Sequence, residues 1–234
     1  MFKIGKNKIG DNSRCYFIAD IGANHDGSLD KAIELINQVS LNGGSAAKFQ
    51  HFSASTIVSK YGFSKIGRQS HQSKWKKTVY QTYQDASINL EWTSRLKKEC
   101  DKCGIDFLTS PYSIELVDLV DKYIPAYKIG SGDINWKQIV QHIAKKNKPV
   151  ILATGASTLK DVSNAIGWIK KYNKRIAVLQ CNTNYTGSKE NFKFINLNFL
   201  KTLKTNFKNI QIGLSDHTPG DVTVLGAISL GAKI

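Results

Sequence analysis

The sequence predicts an α/β fold in which parallel strands alternate with helices, and three observations carry that prediction. Short runs rich in β-branched residues alternate with longer stretches of helical period from one end of the chain to the other. No Pro- or Ser-rich linker interrupts the alternation. Polar side chains follow nearly every predicted strand, which is where the ligand sites of parallel α/β proteins lie. We therefore expect one domain over residues 1–234.

The individual elements follow from local patterns. Residues 28–43 predict a helix with Ser28 as a suitable N-cap. Its apolar face is formed by Ala32, Ile33, Leu35, Ile36 and Val39. The predicted strands cover residues 16–22, 45–52, 106–112, 126–132, 149–155, 176–182 and 210–216, and residues 232–234 begin a further strand.

Composition excludes several classes of protein. The chain has 234 residues, of which 41% are hydrophobic, as is typical of globular proteins. It contains no membrane-length apolar run and no signal-peptide pattern, so we expect a cytoplasmic protein. The net charge of +15 at pH 7 comes from lysines spread over most predicted helices, which favours a solvated surface over a nucleic-acid groove. Cys100 and Cys103 lack the second ligand pair that structural zinc needs, so reduced thiols are expected.

One segment, residues 51–90, breaks the alternation. Connections of this length are uncommon unless they are functional, and this one follows the end of a predicted strand. It is either a substrate loop or a small helical unit in which Trp75, Tyr80 and Tyr83 pack together.

Charged and hydroxyl side chains recur at the strand ends. Burying an unpaired charge is unfavourable, so charged side chains at the ends of apolar strands indicate a functional role. In a parallel barrel the strand ends meet on one face, where these side chains would converge. Lysines and hydroxyls near the turn KIGSGD, residues 128–133, indicate a site for phosphate or carboxylate, although any single Ser or Thr could be a cap or a satisfied core group. The set includes Asp20, Lys48, Gln50, Ser110, Lys128, Ser131, Asp133, Thr154, Thr183, Ser215 and His217.

His217 has two interpretations. An imidazole beside Asp216 at a strand end suits a divalent metal, whereas a histidine at the start of a helix can simply form a local hydrogen bond. The residues alone leave both open. Neither a P-loop nor a Rossmann glycine motif occurs in the chain, so a nucleotide site is not expected.

Several motifs together resemble the N-acetylneuraminate (sialic acid) synthase family in their order and spacing. Related legionaminate and pseudaminate synthases share them. The motifs are IADIGANHDGSLDKA, AAKFQHF, TSPYS, IPAYKIGSGD, PVILATGAS, LQCNTNY and IGLSDHTPG, and they run from about residue 16 to the end of the chain.

This resemblance implies a (β/α)8 TIM barrel that condenses phosphoenolpyruvate with an N-acyl hexosamine such as N-acetylmannosamine. The products would be a nonulosonic acid and phosphate. The enzyme would require a divalent metal, either Mn²⁺ or Mg²⁺. By position, Asp20 and Asp133 would be candidate general bases and His217 a metal ligand. The implied substrate-binding residues are Lys48, Gln50, Ser110, Lys128, Ser131, Thr154, Thr183, Tyr185 and Ser215.

The chain departs from the family pattern in two ways. Bacterial members place Glu at the positions of Asp20 and Asp133 and Thr at that of Ser110, so the carboxylates reach about one methylene less. The resemblance also implies an eighth strand with a second metal-binding His, a C-terminal antifreeze-like domain and a homodimer. We expect this chain to be a barrel truncated at the start of the eighth strand, and therefore to bind phosphoenolpyruvate weakly without turnover.

Two alternatives stay open at this stage. One is a different phosphoenolpyruvate-condensing barrel that acts on a phosphosugar, with extra basic residues supplied by residues 59–77. The other is an inactive or nucleic-acid-associated protein, which the net charge suggests and the dispersed lysines disfavour.

Overall fold

The computed structural model describes residues 1–66, 72 and 75–234. These residues form two compact units. The first, which we call the central unit, is Ile18–Ile124, and the second, which we call the terminal unit, combines Met1–Phe17 with Pro125–Ile234. Each is an α/β unit with a parallel sheet, so the α/β prediction is confirmed. Closure into one barrel, its truncation, and the single domain over residues 1–234 stay predictions.

The central unit contains a parallel sheet with the strand order β3-β4-β5. Position 20 on β3 pairs with position 48 on β4, and position 50 on β4 pairs with position 110 on β5. The register therefore aligns the polar residues at the ends of these strands. The strands are β3 (Ile18–Gly22), β4 (Ala46–His51) and β5 (Asp106–Pro111), and the helices are α1 (Leu29–Leu41), α2 (Ala54–Ile57), α3 (Lys60–Ile66), α4 (Val79–Ala86), α5 (Thr93–Lys102) and α6 (Ile114–Val120).

The terminal unit contains a hairpin and a second parallel sheet, which has the order β6-β7-β8-β9. Each strand pairs in register with the next, and Cys181 at the end of β8 lies opposite Ser215 at the end of β9. The hairpin is β1 (Phe2–Ile4) with β2 (Asn7–Ile9); the sheet is β6 (Tyr127–Ile129), β7 (Val150–Ala153), β8 (Ile176–Cys181) and β9 (Gln211–Ser215); the helices are α7 (Lys137–Lys145), α8 (Leu159–Lys170), α9 (Phe199–Asn206) and α10 (Val222–Ser229).

The helices begin and end where local chemistry predicts. Ser28 caps α1, because its hydroxyl accepts the backbone N–H of Lys31 at 3.2 Å. On α1, Ala32 and Ile36 are fully buried, as the apolar face predicts. In α8, Thr158 and Asp161 form a reciprocal capping box. No helix in the described ranges is long and apolar enough to cross a membrane.

Residues 232–234 lie beside β9 and run in the same direction. The N–H of Lys233 donates to Ile212 and the N–H of Leu214 donates to Ile234, both at 2.9 Å. On the other side, Tyr16 donates its N–H to the carbonyl of Lys233 at 2.9 Å. The segment that the sequence predicts to begin another strand is therefore already hydrogen-bonded on both of its edges.

The structure shortens one predicted strand and distinguishes between the two interpretations of residues 51–90. The strand predicted over residues 126–132 is only Tyr127–Ile129, because a 3₁₀ turn follows at Ser131–Asp133. In residues 51–90 the described part is mostly helical. There Tyr83 contacts Trp75 and Phe52 edge-on at ring-centroid distances of 6.1 and 5.6 Å, which agrees with the small helical unit. Residues 67–71, 73 and 74 lie outside the described residues.

Candidate active site

An ion pair joins strands β3 and β4 of the central unit, within the strands and not at the predicted ends. The Lys48 ammonium lies 2.8 Å from an Asp20 carboxylate oxygen; the Lys48 side chain is 7% exposed and that of Asp20 is 52% exposed. Because an ammonium buried so far is unfavourable without a partner, Asp20 balances its charge. Sequence reasoning put both residues at strand ends, and the structure brings them into contact.

Gln50 and Ser110 lie on neighbouring strands of the same sheet. The Gln50 amide donates to the Tyr112 hydroxyl at 3.3 Å, and Ser110 is buried. Gly22 has a left-handed φ of +55°, and a Cβ built there would lie 3.6 Å from Asp20 and 3.8 Å from Gln50. The end of β3 thus turns close to two predicted site residues, as a glycine permits.

Two histidines of the central unit are buried, and the contacts of His51 are those of a structural residue. The ring of His51 is fully buried, with Nδ1 2.8 Å from the Thr109 hydroxyl and Nε2 2.9 Å from the Thr93 hydroxyl. Burial lowers the pKa of His51 to about 4, so the ring is neutral at physiological pH. His25 is also buried; its Nδ1 accepts the Gly27 N–H at 3.1 Å, and burial lowers its pKa.

Lys128 and Asp133 form the charged part of the terminal unit's site. Lys128 is buried, and its ammonium donates to the Ile129 carbonyl at 2.9 Å. Burial raises the pKa of Asp133 to about 6, and the positive charge of Lys128 offsets only part of that effect. Asp133 can therefore both gain and lose a proton near neutral pH, as a general acid or base must.

Gly155 allows three strand ends of the terminal unit to meet. Its φ is +55°, and a Cβ there would lie 2.5 Å from the Ser131 Cβ and 2.7 Å from the Thr183 Oγ1. The Thr183 hydroxyl donates to Ser131 at 3.3 Å. Thr154, just before the glycine, is buried, and its backbone N–H donates to Leu179. The sequence motif placed Gly155 at the end of a strand. It did not indicate that a side chain at position 155 would collide with Ser131 and Thr183.

His217 is held by β8 and by the segment that follows it. Its Nδ1 lies 3.1 Å from the Asn182 carbonyl oxygen, and the Tyr185 ring contacts the imidazole edge-on with centroids 4.4 Å apart. Cys181 is close by. Burial opposes its thiolate, but the hydrogen bond and charge of His217, with Lys128 and Ser215, outweigh burial and lower the pKa of this thiol. Sequence reasoning missed Cys181, whose only signal was its place at the end of a strand.

The donor chemistry fits His217 as one ligand of a divalent metal. A carbonyl oxygen can only accept, so Nδ1 carries the proton and the lone pair of the neutral ring is on Nε2. In the described part of the chain, no group of three or more His, Cys, Asp or Glu side chains is arranged to hold a metal ion. His217 therefore has the donor chemistry of a metal ligand, but the described residues provide no further ligand group around it.

Comparison with known proteins relates the whole chain to one family. A family model described as the NeuB family matches residues 35–234. N,N'-diacetyllegionaminic acid synthase of Legionella pneumophila is 31% identical over 231 residues, 96% of this chain and 64% of that protein. An uncharacterised protein of Methanocaldococcus jannaschii is 32% identical over 234 residues, 99% of this chain and 64% of that protein. The chain thus spans about 64% of the length of these relatives.

A solved structure shares the fold. The N-acetylneuraminic acid (sialic acid) synthetase of Leptospira borgpetersenii, crystallised with citrate, matches with a TM-score of 0.84 at 24% identity, over 100% of this chain and 75% of that chain. The likeness supports the α/β architecture with parallel sheets.

Proposed function

The chain belongs to the NeuB family, and from that membership we propose that it condenses phosphoenolpyruvate with an N-acyl hexosamine such as N-acetylmannosamine. The products are a nonulosonic acid and phosphate. Relatives that match nearly all of this chain are named as synthases of N,N'-diacetyllegionaminic and pseudaminic acids, so sugars of this class are the first candidates. We also propose that the chain forms a (β/α)8 barrel and a homodimer. Size-exclusion chromatography with light scattering tests the dimer.

The observation that carries the proposal is the set of groups at the strand ends of the terminal unit. A buried ammonium on Lys128, paired hydroxyls on Ser131 and Thr183, and a carboxyl on Asp133 with a pKa of about 6 belong to one sheet and its turns. Phosphoenolpyruvate carries up to three negative charges, so a cation and fixed donors favour its binding. An adjacent carboxyl that titrates near neutral pH supplies the proton transfer that the condensation needs.

We propose binding roles for residues of each unit, by analogy with the family. In the central unit, Lys48, Gln50 and Ser110 contribute to binding of phosphoenolpyruvate, and Asp20 keeps the Lys48 ammonium in place. In the terminal unit, the phosphate and carboxylate ligands are Lys128, Ser131, Thr154, Thr183 and Ser215, with Tyr185 near the sugar.

The chemical step joins C3 of phosphoenolpyruvate to the aldehyde carbon of the open-chain sugar. The enol π electrons form the new C–C bond, the aldehyde oxygen takes a proton from solvent, and C2 becomes electron-deficient. Water adds to C2 and loses one proton to Asp133, which returns it to solvent. Phosphate then leaves with its C–O bonding electrons and takes the remaining hydroxyl proton, so that C2 becomes the ketone. Asp133 is the candidate base because its pKa is raised to about 6, whereas the Asp20 carboxylate is engaged with the Lys48 ammonium.

A divalent metal, Mn²⁺ or Mg²⁺, bound through His217 would supply Lewis acidity to the sugar aldehyde. The chain's own contribution is to hold the His217 ring with its Nδ1–H on the Asn182 carbonyl, which puts the lone pair on Nε2.

Calorimetric binding of phosphoenolpyruvate tests the proposal on this chain directly. Ser131→Ala should weaken binding about tenfold, because a hydrogen bond to a charged ligand is worth about 1.5 kcal/mol or more. Ser229→Ala is the matched control, since the Ser229 hydroxyl is exposed and bonds only within its own helix. No binding at millimolar phosphoenolpyruvate would reject the proposal.

The sugar is identified by phosphate release in the presence of Mn²⁺. The panel contains N-acetylmannosamine, its 6-phosphate, and the precursors of legionaminic and pseudaminic acids. Preference for the 6-phosphate would favour the phosphosugar alternative. Phosphoenolpyruvate binding without phosphate release with any sugar of the panel would contradict condensation by this chain.

A further inference from the structure

The acidic residues of the terminal unit's sheet region, residues 125–234, lie at one end of the sheet. Each follows the carboxyl end of a strand, in the connection or in the first turn of the next helix. They are Asp133, Asp161, Glu190, Asp216 and Asp221. Because β6, β7, β8 and β9 are parallel, these carboxylates share the end of the sheet that carries the candidate site.

The opposite end of the same sheet carries lysines. Three connections enter β7, β8 and β9 there, residues 145–149, 170–175 and 204–210, and they contain no Asp or Glu. Val150 pairs with Ile176 and Ala177 pairs with Gln211, so the connections lie side by side. We call their cationic residues the basic edge: Lys145, Lys146, Lys148, Lys170, Lys171, Lys174, Arg175, Lys204 and Lys208.

Hydrogen bonds hold the first two of these connections against each other. The Arg175 guanidinium donates to the Asn147 side-chain oxygen at 2.7 Å, and the Val150 N–H donates to the Arg175 carbonyl at 2.9 Å. The Lys145 ammonium lies 5.3 Å from the centre of the Tyr172 ring, which is exposed. The backbone is therefore held in place beneath the exposed lysines, which are Lys145, Lys170, Lys171, Lys174, Lys204 and Lys208.

Helix dipoles explain only part of the basic edge. A lysine in the last turn of a helix interacts favourably with the dipole, which accounts for Lys145 and Lys170. That effect falls off beyond the last turn, whereas Lys174 and Lys208 lie in the connections after α8 and α9. Like charges gathered on one surface destabilise the folded state through their repulsion. An anionic partner that covers this edge would offset the repulsion.

We propose that the basic edge binds an anionic lipid surface. Lysines near such a surface are attracted by its negative potential, with no need for a membrane-spanning helix. In this arrangement the candidate site of the terminal unit lies at the end of the sheet away from the lipid and stays open to its substrates.

The composition of the basic edge favours lipid over two other partners. Its cations are lysines apart from Arg175, and a lysine acts as a point charge, whereas the arginine fork recognises single phosphates. Tyr172 is the one exposed aromatic residue of the three connections, all of which the structure describes, so they offer no row of rings for stacking bases. Tyrosine also suits the membrane–water interface. A second copy of the chain would bring the same positive charges together.

Cosedimentation with vesicles of phosphatidylcholine, with and without phosphatidylserine, tests the proposal. At about 0.15 M ionic strength, where the Debye length is about 8 Å, the wild-type chain should bind only the vesicles that contain phosphatidylserine. Each lysine close to an anionic surface contributes about fivefold to affinity, the equivalent of about 1 kcal/mol. The double variant Lys171→Gln, Lys174→Gln should therefore bind about 25-fold more weakly.

The matched control is the double variant Lys160→Gln, Lys189→Gln. It removes the same charge from exposed lysines at the other end of the sheet, at the start of α8 and after β8, and should bind the vesicles as the wild type does. Equal losses in the two double variants would show that binding follows net charge, and would overturn the role of the basic edge. Urea unfolding verifies that each variant is folded; if the first is not, Lys170→Gln with Lys208→Gln replaces it.

Two other results would also overturn the proposal. One is the absence of wild-type binding to phosphatidylserine vesicles, which would leave the basic edge as a solvated surface. The other is tighter binding to duplex DNA than to these vesicles in the same buffer, with a loss in Lys171→Gln, Lys174→Gln, which would make nucleic acid the partner.

Discussion

Replacing Asp133 by Asn should stabilise the fold at neutral pH, because Asp133 is ionised there in a place that disfavours its charge. Burial raises its pKa from 3.8 to about 6. Between those values the folded state binds more protons at this site than the unfolded state, so the stability of the wild-type chain falls as pH rises through this window. Above about pH 6 the full penalty is present; below about pH 3.8 it is absent.

The magnitude follows from the size of the shift. A change of about 2.2 pKa units, from 3.8 to about 6, at 1.36 kcal/mol per unit corresponds to about 3 kcal/mol at pH 7. The Asn side chain is neutral at every pH, so the free energy of unfolding of Asp133→Asn relative to wild type should increase by about this amount between pH 4 and pH 7. Any constant offset from the amide's own hydrogen bonds does not depend on pH.

Urea unfolding at half-unit steps of pH measures the difference. Asp161→Asn is a control of opposite sign: the hydroxyl and backbone N–H of Thr158 lower the pKa of Asp161, so that carboxylate stabilises the fold at neutral pH and the stabilisation is lost in acid. Wild-type and Asp133→Asn curves that run parallel from pH 4 to pH 7 would refute the reasoning, since the carboxyl would then titrate alike in the folded and unfolded states.

Three further substitutions test other parts of the structure. The pKa of His51 is about 4 in the folded state and 6.5 in the unfolded state, so about 3 kcal/mol of stability is present above pH 6.5 and should be lost as pH falls to 4. His51→Gln should remove this pH dependence from the free energy of unfolding. Equal slopes of that free energy against pH in the variant and the wild type, measured by urea unfolding, would contradict this. Gly155→Ala should lower the free energy of unfolding by about 1–3 kcal/mol more than Gly187→Ala, because Gly187 has a similar φ but no atom close to its Cβ position. Equal losses in the two variants would show that crowding at Gly155 is not the cause. Lys48→Met should weaken phosphoenolpyruvate binding at least tenfold, as measured by calorimetry. Lys31→Met removes an exposed ion pair and should leave binding unchanged. Equal affinities of the two variants for phosphoenolpyruvate would show that Lys48 has no binding role.

The fold elements were largely predictable because their causes are local. The periodicity of residues 28–43 and the Ser28 cap predicted α1, and the apolar runs predicted the strands of both sheets, apart from their ends. The early end of β6 was missed although KIGSGD reads as a turn, because the glycines indicate a turn but not the residue at which the strand ends. The motifs also sufficed to place the chain in its family.

Candidate site residues could be proposed from the sequence, but their contacts and protonation could not. By itself, the sequence determined which strand ends carry carboxylates, lysines and hydroxyls. It left Asp20 and Asp133 equivalent. Only the tertiary structure separated them, since one carboxylate lies 2.8 Å from the Lys48 ammonium and the other is partly buried, which raises its pKa to about 6. The physical reason is that a proton affinity depends on the loss of water and on the distance to other charges, and both are fixed by segments far apart in the chain.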